Sequence, residues 1–186
     1  MEALLVILGL GLVGTSDIPP LIPLEPYFKS ERIEGTWYRI AMVVSGTEQK
    51  VLAGDIHISP RQQGNLALQR NIQKGSTCTD INFQLKHAGE KGADTETTIY
   101  VVDTDYEQYL ILYIVTPADR ALYLFGSEEQ VPNSIREYFK EDVEYLRFSL
   151  TDITFPGRDE KCPLSVKEEN AETMIFFLPE AERPSA

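Results

Sequence analysis

Apolar and polar residues alternate with a period of two along much of this chain. Ile56 and Ile58 alternate with His57 and Ser59, Leu66 and Leu68 with Ala67 and Gln69, and Ile81, Phe83 and Leu85 with Asn82, Gln84 and Lys86. From Gly35 onward, Tyr38, Ile40, Met42 and Val44 alternate with Arg39, Ala41 and Val43. Short turn-forming stretches, Gly54-Asp55 and Gln63-Gly64-Asn65, separate the runs. Such a pattern predicts an antiparallel meander in which each strand buries one face. Two runs, Thr97 to Val102 and Tyr109 to Val115, are apolar on both faces, so something must cover their outer side. Val131, Ile135, Tyr138 and Phe139 follow helical spacing and predict that cover as a helix near 128–141. It would start either at a Ser127–Gln130 capping box or with Pro132 as its first residue. A short last strand, Tyr145 to Ser149, is expected to return to the sheet.

Eight antiparallel strands can close into an up-and-down barrel, which removes exposed edges. The predicted fold class is therefore all-β, an eight-stranded antiparallel barrel with one packed helix. A barrel of that size is filled by side chains or holds one small ligand, and the alternation leaves both open.

The two ends have a different character. Ala3 to Val13 is an apolar run too short to span a bilayer but suited to a secretory signal, with small residues at Gly14, Thr15 and Ser16. Glu2 stands where a basic residue is usual. The expected division is a signal peptide at 1–16, a barrel domain at 17–162 and an acidic tail at 163–186. Pro19, Pro20, Pro23 and Pro26 make 17–26 an extended arm. Met174 to Leu178 is an apolar run within the tail, which argues against a fully solvated segment. It can fold back on the barrel, cap its mouth or stay mobile.

The chain of 186 residues suffices for one domain with a substantial core. It carries 17 Lys and Arg against 29 Asp and Glu, a net charge of −12. No basic run could follow a phosphate backbone, so nucleic acid is not an expected partner. An anionic membrane surface would repel the chain, and no second apolar run approaches membrane length, so membrane insertion is not expected either. His57, His87 and the two cysteines show no metal-ligand spacing, and neither a metal nor another cofactor is expected. No Gly-x-Ser-x-Gly elbow occurs, and two lone histidines offer little base chemistry, so the chain does not read as an enzyme. Cys78 and Cys162, in an exported chain, would most often pair. Such a bridge would stabilise by about 4–5 kcal/mol in the chain-entropy model. No Asn-x-Ser/Thr sequon is present.

Gly35-Thr36-Trp37-Tyr38 opens the first alternating stretch, and Thr104-Asp105-Tyr106 stands between two apolar strands. With Cys78 and Cys162, this set resembles the lipocalin family over roughly 30–162. The longer string Val101 to Leu110 is similar to the secretory branch of β-lactoglobulin, glycodelin and tear lipocalin. The resemblance implies that Trp37 fills the closed end of a cup, where its indole N–H needs a partner. It makes Gly35 and Thr104-Asp105-Tyr106 structural, the latter as a turn whose side chains bond its own backbone. It also implies a Cys78–Cys162 bridge from the fourth strand to the C-terminal segment. The family's arginine against the tryptophan is missing, because Ser127 occupies its place, which leaves Arg39 or Arg147 as substitutes. The stretch from Cys78 to Asp105 is several residues shorter than in β-lactoglobulin, and trimmed loops near the mouth are expected.

Strand parity and this resemblance together give an inner wall. Ile99, Val101, Leu110, Leu112 and Ile114 should face inward, with Ile56, Leu68 and Phe83 completing the expected ligand-binding set. Ile58, Leu66, Ile81 and Leu85 are further wall candidates. Tyr100, Tyr109, Ile111 and Tyr113 should face outward, the last three toward the helix. For each wall residue, ordinary core packing accounts for the pattern as well as ligand contact does.

The implied function is a secreted, extracellular carrier of a small hydrophobic molecule such as a fatty acid, retinoid, steroid or odorant. Each methylene moved out of water would contribute about 0.8 kcal/mol. The alternative is an effector acting through its surface on a cell-surface receptor. The enzymatic branch of the family uses a free cysteine in the cup, whereas here both cysteines are committed to the expected bridge. Either a monomer or a homodimer is compatible with these readings. Glu96 falls where β-lactoglobulin carries a gating carboxylic acid, whose pKa burial would raise. An exposed glutamate at the start of a strand fits the same position.

Overall fold

The structure, a computed structural model, describes residues 21–46, 54–61, 65–74, 77–87, 97–116, 119–155 and 171–177, of which 71–74, 77–80, 86–87 and 171–177 are described as backbone. Its strands are β1 (Gly35–Ser45), β2 (Ile56–Pro60), β3 (Leu66–Lys74), β4 (Thr77–His87), β5 (Thr98–Thr104), β6 (Tyr109–Val115), β7 (Arg120–Gly126) and β8 (Ala171–Phe177). One helix, α1 (Asn133–Tyr145), follows β7. β1 to β7 form a curled sheet whose direct neighbours are antiparallel, with β7 returning to pair β1. The closed order is β1-β2-β3-β4-β8-β5-β6-β7. The eight-stranded barrel with one packed helix is thus the architecture of this chain.

The place between β4 and β5 departs from a strict meander. β8 lies there, parallel to both: Asn82 to His87 pair with Ala171 to Phe176, and Thr98 to Tyr100 pair with Ile175 to Phe177. Two strands parallel to a third run parallel to each other, so β4 and β5 cannot form a hairpin. A returning strand would hold this place in an up-and-down barrel; here the C-terminal segment holds it. The apolar run from Met174 therefore folds back as a barrel stave, and 171–177 is not a segment apart from the 17–162 domain. Not every expected pairing is antiparallel for the same reason.

The expected strand Tyr145 to Ser149 does not form. Tyr145 ends α1, Arg147 takes a left-handed φ of 58°, and Ser149 caps a 3-10 turn at Leu150–Asp152. The return to the sheet is a single bridge, with Met42 and Thr154 exchanging backbone bonds of 3.0 and 2.8 Å. The helix also begins later than 128. Pro132 is its N-cap, and the Ser127–Gln130 box is not used, those residues being exposed.

Two apolar layers result. Trp37, Met42, Ile56, Leu68, Phe83, Ile99, Leu112 and Tyr123 belong to the cluster inside the barrel. Ile40, Ala41, Val43, Ile111, Leu122 and Leu124 form a second cluster with Ile135, Phe139 and Val143 of α1. β1 contributes to both because of a bulge between Arg39 and Ala41. An extra residue reverses the side-chain alternation, so Ile40 packs under the helix while Met42 faces inward. The even-numbered residues of β1 therefore do not share one face. Arg120 fastens the helix end by donating to the carbonyls of Leu146 (2.7 Å) and Arg147 (3.0 Å), as cations near a helix C-terminus do.

Candidate ligand-binding site

The closed end is built by short-range hydrogen bonds. Trp37 donates its indole N–H to the Ile33 carbonyl at 2.9 Å, satisfying the donor that its burial would otherwise strand. Asp105 Oδ1 accepts from the backbone N–H groups of Glu107, Gln108 and Tyr109. Thr104 Oγ1 donates to the Tyr109 carbonyl at 2.6 Å and accepts from Tyr106 N–H. This ring of bonds holds Tyr106 at a left-handed φ of 65°, a conformation costly for a non-glycine residue. The Tyr106 ring stacks on Phe28 at 6.0 Å, and its hydroxyl accepts from Lys29 N–H. The arginine found at this end is Arg32, its guanidinium 4.4 Å from the Tyr106 centroid. Arg32 was not among the residues expected to replace the family arginine. Arg147 lies at the helix end, and Arg39 lies across from Phe125.

Above this floor, Ile56, Leu68, Phe83, Ile99, Val101, Leu110, Leu112 and Ile114 belong to one interior cluster, with Ile58, Leu66, Leu85 and, partly buried, Ile81. Ile111 and Tyr113 belong to the helix-side cluster, with Tyr100 and Tyr109 packed against it. The interior side chains are closed to solvent; Leu110 is 0% and Leu112 3% exposed. Glu96 lies outside the described residues, as does Cys162. Cys78 is described as backbone only, in β4 opposite Gln73.

Two arginines lie on the inner face: Arg39, expected in the sequence as a substitute for the family arginine, and Arg70, which was not singled out there. Arg70 follows Leu66 and Leu68 with the same parity and lies over Phe83. Arg39 stands opposite interior Phe125. The signal was present for Arg70 in the spacing alone: it continues the inward set of β3 by two positions.

Outside the barrel, three carboxyls converge from three elements. Glu25 of the N-terminal arm donates its backbone N–H to the Val101 carbonyl at 3.1 Å. Burial, then the neighbouring Asp103 charge, raises its carboxyl pKa. Tyr109 donates its hydroxyl to Asp103 at 2.8 Å; burial, then the bond to Asp103, raises the phenol's pKa. On α1, burial pushes Asp142 up from 3.8 to about 6, with the charges of Asp103 and Glu141 adding to it.

A raised carboxyl pKa favours the neutral form in the folded state. That contribution to stability is complete below about pH 4 and is lost as pH rises through about 6. Asp142→Asn is therefore expected to be more stable than wild type at pH 7 by about 1 kcal/mol, the shift being discounted for solvent screening. The two proteins should melt together at pH 3.5. A difference of equal size at both pH values would contradict this.

A closed β-barrel with a tryptophan-plugged floor, an apolar interior and one helix packed on its side defines a class of small-molecule-binding cups. The Lipocalin / cytosolic fatty-acid binding protein family matches residues 34–159, more than half of the chain. The chain belongs to the lipocalin family. It is 30% identical over 149 residues to epididymal secretory protein 4 of Zootoca vivipara, covering 76% of this chain and 86% of that protein. It is 26% identical over 176 residues to prostaglandin-H2 D-isomerase of Sus scrofa (83% and 93% covered). To major urinary protein 20 of Mus musculus it is 26% identical over 174 residues (83% and 94% covered). Among solved structures it is similar to Ex-FABP, a siderocalin described as functioning through dual ligand specificities. The TM-score is 0.60 at 16% identity, over 72% of this chain and 99% of that one, a likeness of fold. Lipocalins are typically carriers of small hydrophobic molecules and mostly not enzymes, although an isomerase is among these relatives. No helix among the described residues is long and apolar enough to cross a membrane.

Proposed function

We propose that this lipocalin is a secreted, non-enzymatic carrier that takes one small hydrophobic molecule into its barrel. One observation carries the reading: most of the described inward side chains, from Trp37 at the floor to Ile56, Phe83, Ile99 and Leu112 on the wall, are aliphatic or aromatic, as an apolar ligand requires. Ile56, Leu68, Phe83, Ile99, Val101, Leu110, Leu112 and Ile114 are the proposed contacts. Because Leu110 and Leu112 are closed to solvent, uptake requires the interior to open around the ligand. The proposal includes export, which the apolar N-terminal run supports, and a Cys78–Cys162 bridge. Intact mass should rise by two hydrogens on reduction; two thiols reactive without reductant in the unfolded protein would rule the bridge out.

Titration with a fluorescent fatty acid tests the carrier reading. Saturable uptake of one molecule per chain is expected, displaceable by unlabelled apolar competitors. Linear, non-saturating fluorescence would contradict it. A surface-acting effector has less behind it, since part of the tail that reading leaned on is a barrel strand.

A further inference from the structure

The N-terminal arm is fastened to the barrel by more than backbone bonds. Pro23 and Pro26 bracket Leu24 and Glu25 and carry no N–H, so this stretch cannot zip along a strand edge. β8 pairs with β5 from Thr98 to Tyr100. The next carbonyl, that of Val101, accepts the Glu25 N–H at 3.1 Å. On either side of Glu25 the arm is held by apolar packing. Ile22 lies against the helix-side cluster, and Phe28 lies against the interior one, stacked on Tyr106 at 6.0 Å.

Between these anchors the Glu25 side chain meets a second acid. The register shift between Val101 and Asp103 reverses the alternation of β5, and Asp103 accepts the Tyr109 hydroxyl at 2.8 Å on the helix side of the sheet. The Glu25 and Asp103 carboxyls are hydrogen-bonded to each other. Ionised carboxylates only accept, so this bond needs a proton on one of the two. Tyr109 already donates to Asp103, which favours the anion there, and the proton therefore belongs to Glu25. The other groups facing this cluster are mostly acidic too: Asp105 of the turn, and Asp142 and Glu141 of α1. From the arm, Glu31 and Arg32 act on Tyr106, with the Arg32 guanidinium over its ring. Among the described residues no ion pair joins a cation to Glu25, Asp103 or Asp142, and no group of acidic side chains is placed to hold a metal ion.

We infer that the arm is a proton-operated strap across the closed end of the barrel: neutral Glu25 donates to Asp103 and holds the arm down, and loss of that proton frees it from β5. Burial, then the Asp103 charge, raises the Glu25 pKa, the direction a docked neutral carboxyl requires. The bond contributes fully below the pKa of Glu25 in a free arm and is lost as pH rises through the docked value. The strap is thus tighter in acid than at neutral pH. Its undocking takes Phe28 off Tyr106 and uncovers the floor, whatever the barrel holds.

Nuclear magnetic relaxation of the Leu24 amide, a reporter common to every variant, tests the strap between about pH 4 and about pH 7, the span over which a raised carboxyl ionises. In wild type its order parameter should fall from the rigid range, about 0.85, toward the flexible range below about 0.6 as pH rises. Glu25→Gln, whose amide donates to Asp103 at any pH, should stay rigid throughout. Glu25→Ala should be mobile throughout. Asp142→Asn should keep the step, because it removes a neighbouring charge and not the donor. A wild-type arm of equal order at both ends of the range would overturn the inference, as would an unchanged step in Glu25→Gln. A step lost in Asp142→Asn but kept in Glu25→Gln would place the switch on α1 and overturn it as well.

Discussion

A chain ending at residue 170 is expected to lose much of its stability and its ability to hold a ligand. β8 bonds β4 on one side and β5 on the other, and β4 and β5, being parallel, cannot replace it by pairing as a hairpin. Its removal leaves two edges with unpaired N–H and C=O groups, open to water and to other chains. Each backbone bond lost is worth about 0.5–1.5 kcal/mol net, so the several bonds of β8 amount to about 5 kcal/mol. That is comparable with the whole stability of many domains and lowers Tm by roughly 10–20 °C for a chain of this size. Self-association through the freed edges is expected alongside. Thermal melts and light scattering of the full and truncated chains check this. A truncated monomer with an unchanged Tm would show that β8 is not a stave of the native barrel.

Leu112→Glu carries the second large effect. Leu112 sits on β6 between Val101 of β5 and Tyr123 of β7, and both partners are interior residues. At 3% exposure it has no route to water. A carboxylate there is disfavoured by several kcal/mol, by desolvation and by loss of the leucine's packing. Binding of a fluorescent fatty acid should weaken by at least about a hundredfold, the equivalent of roughly 3 kcal/mol, with the β-rich far-ultraviolet spectrum retained. Leu112→Ala, which removes contacts without adding charge, costs about 2–5 kcal/mol of stability by cavity formation and should keep measurable binding. Unchanged affinity in a folded Leu112→Glu protein would mean that the ligand does not meet this wall.

What the sequence made legible follows local physics. Regular period-two runs such as Ile56/Ile58 and Ile81/Phe83/Leu85 sit on the inner face, because no bulge interrupts them. The spacing of Ile135 and Phe139 placed a helix over the double-sided strands, since an apolar stripe must be covered. The turn at Asp105 could be read from its own side chains.

What stayed hidden depends on non-local pairing. The bulge at Ile40 is set by how β1 meets β7, and alternation alone cannot show where it reverses. Tyr145 to Ser149 has the pattern of a short strand, but the helix continues through Tyr145 and the turn after it is fixed by Arg120, distant in sequence. The short stretch from Cys78 to Asp105 read as trimmed loops. The place between β4 and β5 is taken by an apolar run far along the chain, a pairing that local sequence does not reveal. Arg70 is legible by parity, two positions beyond Leu68 on the inward face of β3.

The central claim is that this barrel carries a small apolar molecule, and native mass spectrometry of the protein purified from its own tissue tests it most directly. The account predicts a complex of one chain with one apolar small molecule, its excess mass lost on organic extraction and restored by adding the extract back. Protein of bare polypeptide mass that takes up nothing from the extract would contradict it.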